Sequence, residues 1–99
     1  LRNYGVGDRQ DPKFYKLIAE AETRMGAKSK SHFSLAEYYR IVGELNLSAV
    51  QLRLAQQSPD VTNYERHRID ARLDEVNEEM LKLRKSLKER EEDAEARRR

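Results

Sequence analysis

The stretch that decides the fold is residues 18–43, IAEAETRMGAKSKSHFSLAEYYRIVG, where a spacing of 17 residues begins and then continues along the chain. Aliphatic side chains recur at this spacing, and a glycine follows each of the first two after eight residues. Seventeen residues are enough for one short helix and a turn. Glycine is a common residue at the end of a helix, so each glycine marks the place where a helix ends. The spacing therefore predicts stacked antiparallel helices. The residues on it are Ile18, Leu35, Leu52 and Ile69, accompanied by Gly26 with Gly43 and by Ser31 with Ser48.

The composition limits the size of the domain and its class of function. The chain has 99 residues, of which 38% are charged and 37% hydrophobic, so one small domain with a polar extension is expected. Residues 1–60 contain nine Lys and Arg and seven acidic residues, and residues 61–99 contain eleven Lys and Arg and eleven acidic residues. Nucleic-acid-binding surfaces carry basic residues without such interleaved acids. We therefore expect no nucleic-acid partner.

Several features that would identify other classes of protein are absent from the sequence. No cysteine is present, which excludes disulfides and thiolate metal sites. No apolar run approaches the roughly 18 residues of a membrane-spanning helix, and no signal peptide is recognisable. The first residue is Leu1 rather than Met, which is compatible with a piece of a longer protein.

Apolar spacing predicts three short helices after a loop-like lead over residues 1–12. The first helix is expected over about 12–25, with Asp11 as its N-cap and Gly26 at its end. The second is expected over about 29–42, capped by Ser29 or Ser31, and the third over about 46–57, so that the short helices occupy residues 13–58. The apolar residues expected to pack are Phe14, Leu17, Ile18, Ala21 and Met25 on the first helix and Leu47, Val50, Leu52, Leu54 and Ala55 on the third.

The fourth predicted helix is much longer than the others. It begins near residue 61, capped by Asp60 or Thr62, and meets no breaker, so it fills residues 60–99 and must project beyond its neighbours. Its apolar residues step by four and three over 69–87, the spacing of a coiled-coil seam. We expect Val76, Met80, Leu83 and Leu87 to form a self-association seam, with Met80 and the leucines left uncovered by the chain itself. Residues 88–99 are polar and free to fray.

The second and third helices together fit one tetratricopeptide (TPR) repeat of 34 residues, twice the observed spacing. His32 and Ser48 stand where that pattern prefers tryptophan and alanine. The positions that fit the pattern are Leu35, Ala36, Tyr39, Gly43, Leu52 and Ala55, and Ser48 fits it as a small residue in place of alanine. The expected fold is therefore all-α, with TPR-like antiparallel helical hairpins followed by a long projecting C-terminal helix.

Two phrases within this region, LAEYY (35–39) and RIDARL (68–73), carry a likeness to a known family. Residues 13–80 resemble the C-terminal TPR region of the bacterial β-barrel assembly-enhancing proteases, which are periplasmic zinc metallopeptidases. The resemblance implies a periplasmic arm that docks outer-membrane assembly components or unfolded β-barrel substrates. The HExxH catalytic motif of that family does not occur in this sequence, so no catalytic residue is carried over.

The sequence offers a candidate binding groove but no candidate catalytic centre. In the TPR register, Lys30, Phe33, Glu37 and Arg40 of the second helix and Tyr64 and His67 of the fourth face one concave groove, with Arg68 beside them. Aromatic rings supply contact area for a peptide, and cations hold its carboxylates. His67 and Asp70 lie three residues apart, yet a zinc site needs three or four converging ligands. We expect no metal and no cofactor.

Two functions remain open at this point. The first is a non-catalytic protein–protein interaction module, the C-terminal TPR arm of a periplasmic metallopeptidase in outer-membrane protein quality control. The second is a coiled-coil dimerisation element of a cytoplasmic protein, in which the seam at Leu83 and Leu87 joins two copies into a homodimer. This chain is not expected to be an enzyme in either case.

Overall fold

The structure, a computed structural model, describes residues 11–98, and four α-helices account for most of them. They are α1 (Pro12–Arg24), α2 (Lys28–Ile41), α3 (Leu45–Gln56) and α4 (Asn63–Arg98). The predicted all-α fold, with short helical hairpins and a long last helix, is confirmed. The lead predicted over residues 1–12 lies outside the described residues except for its last two.

Two glycines turn the chain back on itself between the short helices. Gly26 has a φ of +78° and Gly43 a φ of +87°, in the left-handed region that side chains disfavour. The amide after each glycine donates to a carbonyl of the preceding helix, at 2.9 Å and 2.8 Å respectively. These bonds satisfy carbonyls that a helix end leaves unpaired. The chain therefore reverses at the positions that the 17-residue spacing predicts.

Replacing Gly43 by alanine is expected to lower the free energy of unfolding by about 1 kcal/mol, since a left-handed backbone costs an L-residue that much. A Cβ atom at Gly43 would meet no other atom within 4 Å, so the cost comes from the backbone alone. Urea denaturation measures it. Gly43→Asn is the control and should cost less, because asparagine adopts this conformation more readily. Equal stability of Gly43→Ala and the parent chain would contradict the turn.

The 17-residue spacing also appears as a repeated hydrogen bond between helices. Ser31 Oγ donates to the carbonyl of Ala19 at 3.1 Å, and Ser48 Oγ donates to the carbonyl of Ala36 at 2.9 Å. All four residues are buried. Their small side chains let α1 approach α2, and α2 approach α3, closely enough for these bonds. Ser48 thus departs from the alanine of the TPR pattern while forming a specific contact.

The core lies between α2, α3 and α4. Its largest fully buried apolar side chains are Leu52, Ile69 and Val76, and small alanines from α2 and α3 pack around them. Phe33, Leu45 and other half-buried side chains border this cluster.

The predicted packing faces of α1 and α3 are wrong in part. Helix α3 is enclosed along the side of Ser48, Leu52 and Ala55, whereas other apolar residues of both helices face outward. The reason is that α3 has apolar residues on more than one side, and spacing alone does not tell which side meets a neighbour. The misassigned residues are Leu17, Met25, Leu47, Val50 and Leu54, which are between 40% and 76% exposed.

The helix caps correct another prediction. Asp11 caps α1 as expected, with its carboxylate 2.9 Å from the amide of Lys13. Neither Ser29 nor Ser31 caps α2. The carboxylate of Asp60, from the α3–α4 loop, accepts hydrogen bonds from the first two amides of α2 at 2.8 Å and 3.0 Å. This long-range cap connects the loop to the start of α2. Of the two predicted caps of α4, Asp60 and Thr62, it is therefore Thr62 that caps that helix.

Helix α4 packs on α3, with a smaller contact to α2, and then extends beyond them. Val76 is fully buried, so its assignment to a self-association seam is wrong. Met80 is half-buried against the core, which corrects the expectation that it is left uncovered. Every residue from Leu81 to Asp93 is exposed. Among residues 11–98, no helix is both long and apolar enough to cross a membrane.

Candidate functional site

Three contacts connect α2 to α4 along one surface of the bundle. The guanidinium of Arg68 lies 4.7 Å from the centre of the Phe33 ring. One and two turns further along α2, Glu37 Oε2 lies 2.7 Å from Arg72 Nε, and Arg40 lies 3.3 Å from Glu79. Residue numbers rise together on both helices, so α2 and this part of α4 run in the same direction. We call these three contacts the α2–α4 ladder.

The first rung of the ladder borders a pocket of about 230 Å³. The pocket lies where α1, α2 and α4 meet, and its floor includes the core residue Ile69. Two aromatic rings and four charged side chains line it: Tyr15, Phe33, Glu22, Lys30, Glu65 and Arg68. The pocket therefore combines apolar area with charge.

Hydrogen bonds engage the two acids of the pocket. Glu22 accepts a bond from Ser34 Oγ at 2.7 Å, and Glu65 accepts one from the amide of Thr62 at 3.1 Å. Within residues 11–98, neither Lys30 nor Arg68 forms an ion pair. The two cations therefore keep their hydrogen-bond donors for a ligand, whereas each acid already accepts a bond from the protein. A carboxylate is the group that they would bind best.

The structure brings some of the predicted groove residues together and separates others. Lys30 and Phe33 line the pocket. Glu37 is only 6% exposed and lies under Arg72, so it supports the surface without presenting its carboxylate. Arg40 is half-buried and paired with Glu79. Tyr64 and His67 are on the exposed surface of the first turns of α4, outside the pocket lining.

Sequence reasoning missed the contribution of α1 to this site. Tyr15 and Glu22 lie four residues before and three residues after the buried Ala19, so all three share one side of α1. Ala19 also lies 17 residues before Ala36, which is the signal that could have revealed this side. The more hydrophobic Leu17 and Met25 directed the prediction to the opposite side.

No metal-binding cluster is present among residues 11–98: no three His, Cys, Asp or Glu side chains converge there. The ring of His67 instead donates to the carbonyl of Asn63 at 2.9 Å, and His32 shares a hydrogen bond of 2.8 Å with Gln51. Both histidines thus have local structural contacts.

Comparison of the chain with protein-family models, with curated proteins and with solved structures finds no match.

Proposed function

We propose that this chain is a non-catalytic protein–protein interaction module that binds a partner along the α2–α4 surface. The observation that carries the proposal is the pocket at the first rung of the ladder. Two aromatic rings, Tyr15 and Phe33, lie there beside the two cations Lys30 and Arg68. Rings and cations in one concavity are the groups that recognise a peptide segment.

The chemistry of the pocket specifies the kind of segment that it takes. An apolar or aromatic side chain of the partner packs against Tyr15 and Phe33, and an adjacent carboxylate reaches Lys30 and Arg68. The Glu37–Arg72 and Arg40–Glu79 pairs continue the surface beyond the pocket. They hold α2 and α4 together, so the pocket keeps its shape before a ligand arrives.

We further propose that the module is the C-terminal TPR arm of a periplasmic metallopeptidase in outer-membrane protein quality control. The resemblance of LAEYY and RIDARL supports this assignment. LAEYY lies on α2 and RIDARL lies on α4, and the ion pair between Glu37 and Arg72 joins the two phrases. The phrases that carry the likeness therefore supply three of the six ladder residues, Glu37, Arg68 and Arg72, including both members of the middle rung. The partner is then an outer-membrane assembly component or an unfolded β-barrel substrate.

A pull-down with β-barrel assembly components tests both steps. The variant Lys30→Glu/Arg68→Glu reverses the two cations of the pocket, and we expect it to weaken capture on the order of tenfold or more, because charged pairs at an interface contribute strongly. Arg53→Glu is the matched control on the exposed side of α3 and should bind as the parent chain does. Unchanged binding of the double variant would refute the pocket, and no capture by the parent chain would refute the assignment to outer-membrane assembly.

The alternative function is a coiled-coil dimerisation element of a cytoplasmic protein. The exposure of Leu83 and Leu87, at 50% and 48%, favours it. In that case association is the whole function and the pocket is ordinary surface. Capture of a partner by the parent chain that Lys30→Glu/Arg68→Glu abolishes would remove this alternative.

A further inference from the structure

The last turns of α4 present an unpartnered face with a regular pattern. After Met80, the four-and-three steps continue through Leu83, Leu87, Arg90, Ala94 and Arg97. We call Met80 together with these five residues the C-terminal seam. Leu83 and Leu87 are about half exposed, and residues 81–93 are all on the surface.

Charge is divided along the same stretch into two blocks. Residues 82–88 contain four basic residues and no acid, whereas residues 89–95 contain five acids and one arginine. No ion pair forms among residues 81–98 themselves. Between the two blocks, the pairs four residues apart are Lys85 with Glu89 and Lys88 with Glu92, both with the lysine first, which is the less stabilising order. The better order, with the acid first, is available only at the block ends, as for Lys82 with Glu78 and for Asp93 with Arg97. The helix alone therefore leaves both blocks largely unsatisfied.

We propose that this segment pairs with the same segment of a second copy of the chain, antiparallel, about a twofold axis between Lys88 and Glu89. The proposal does not depend on what the pocket of α2 and α4 binds. In this arrangement the basic block of each copy lies along the acidic block of the other. Such complementarity both attracts the copies and fixes their register.

The C-terminal seam matches itself under this twofold axis. Each seam residue meets another seam residue, so that Leu83 faces Ala94 of the second copy and Leu87 faces Arg90. Met80 likewise faces Arg97. Just outside the seam, Arg84 of each copy lies opposite Glu91 of the other. Opposite charges beside an apolar seam set the orientation of paired helices.

A parallel pairing is disfavoured by the same residues. It would place Arg90 against Arg90 and Arg97 against Arg97 within the seam, and it would align each charge block with a like block. Like charges in direct opposition destabilise a helix pair. The antiparallel pairing avoids both contacts.

A groove beside the seam accommodates the end of the second helix. It lies between residues 43–46, at the α2–α3 turn and the start of α3, and the α4 residues Met80, Leu83, Arg84 and Leu87, with a volume of about 250 Å³. In the antiparallel register, Arg97 of the second copy reaches Met80 at this groove. Glu44 in the turn is exposed and supplies a carboxylate for that arginine. The turn thus adds contacts that a bare helix pair lacks.

Sedimentation equilibrium of the full chain over a range of concentrations tests the pairing. We expect a reversible dimer that weakens as salt is raised, because salt screens exposed charges. Arg84→Glu should weaken the dimer on the order of tenfold, since two opposite-charge contacts become repulsive, and Arg84→Glu/Glu91→Arg should restore it. Arg53→Glu, on the exposed side of α3 and outside both charge blocks, is the matched control and should leave the dimer unchanged. Circular dichroism verifies that each variant keeps its helix content.

Cysteine crosslinking tests the orientation, since the chain has no native cysteine. A mixture of Leu83→Cys and Ala94→Cys chains should form a mixed disulfide dimer. Leu83→Cys alone should not, because residues 83 of the two copies would lie about 16 Å apart along the axis at 1.5 Å per residue. A chain that stays monomeric at all concentrations, a charge-swapped pair that fails to reassociate, or efficient crosslinking of Leu83→Cys alone would each overturn the proposal.

Discussion

Truncating Leu52 to alanine is expected to lower the free energy of unfolding by about 3 kcal/mol, within the range for large-to-small changes in a core. Leu52 has no exposed surface and lies at the centre of the cluster formed by α2, α3 and α4. Three of the other five buried residues of this cluster are alanines, which offer little bulk to fill the cavity. Because a small domain has a total stability of about 5–15 kcal/mol, this is a large fraction of it. Urea denaturation followed by circular dichroism measures the loss.

Leu54→Ala provides the matched control for that experiment. Leu54 is on the same helix, two residues away, but it is 40% exposed on the outer side of α3. Its truncation removes partly hydrated surface and leaves no enclosed cavity, so we expect a loss of less than about 1 kcal/mol. Similar losses for the two variants would mean that α3 does not pack by the side of Leu52.

Replacing Arg72 by alanine is expected to lower the free energy of unfolding by about 2 kcal/mol. Arg72 Nε lies 2.7 Å from Glu37 Oε2, and Glu37 is 6% exposed. Without the guanidinium, a nearly buried carboxylate is left with no opposite charge beside it, which is costly. The loss is smaller than for a fully buried pair, because the side chain of Arg72 is 28% exposed and water can enter the space it leaves. Thermal or urea denaturation measures the effect.

A second substitution separates this cause from simple loss of contact area. Glu37→Gln/Arg72→Ala removes the buried charge together with its partner, and we expect it to recover at least half of the loss. Arg66→Ala, on the exposed part of α4, is the control and should change stability by less than about 0.5 kcal/mol. If the double variant is no more stable than Arg72→Ala, the unpaired charge of Glu37 is not the cause of the loss.

The helices and their turns were predictable from the sequence because the signals for them are local. Asp11 before Pro12 starts a helix, and Gly26 and Gly43 end helices by adopting a conformation that glycine favours. The direction of packing was less predictable. Leu52 and Leu54 have the same residue type and similar neighbours, and the positions of α2 and α4 decide which of the two is buried.

Part of the candidate site was also predictable, and the remainder depends on long-range contacts. Lys30 and Phe33 follow from the repeat register alone. Tyr15 could not be assigned in the same way, because its place in the pocket depends on the angle at which α1 meets α2. The cap on α2 was missed for a similar reason, since Asp60 reaches the helix from a loop more than 30 residues away.

The proposed function requires that α2 and the start of α4 form one surface that receives a partner. Titration of the isotope-labelled chain with a β-barrel assembly component, followed by amide chemical-shift changes in NMR spectra, tests it most directly. We expect the largest changes at Tyr15, Lys30, Phe33 and Arg68, continuing along the α2–α4 ladder. Changes concentrated on the outer side of α3, around Val50 and Leu54, with the pocket residues unaffected, would contradict it.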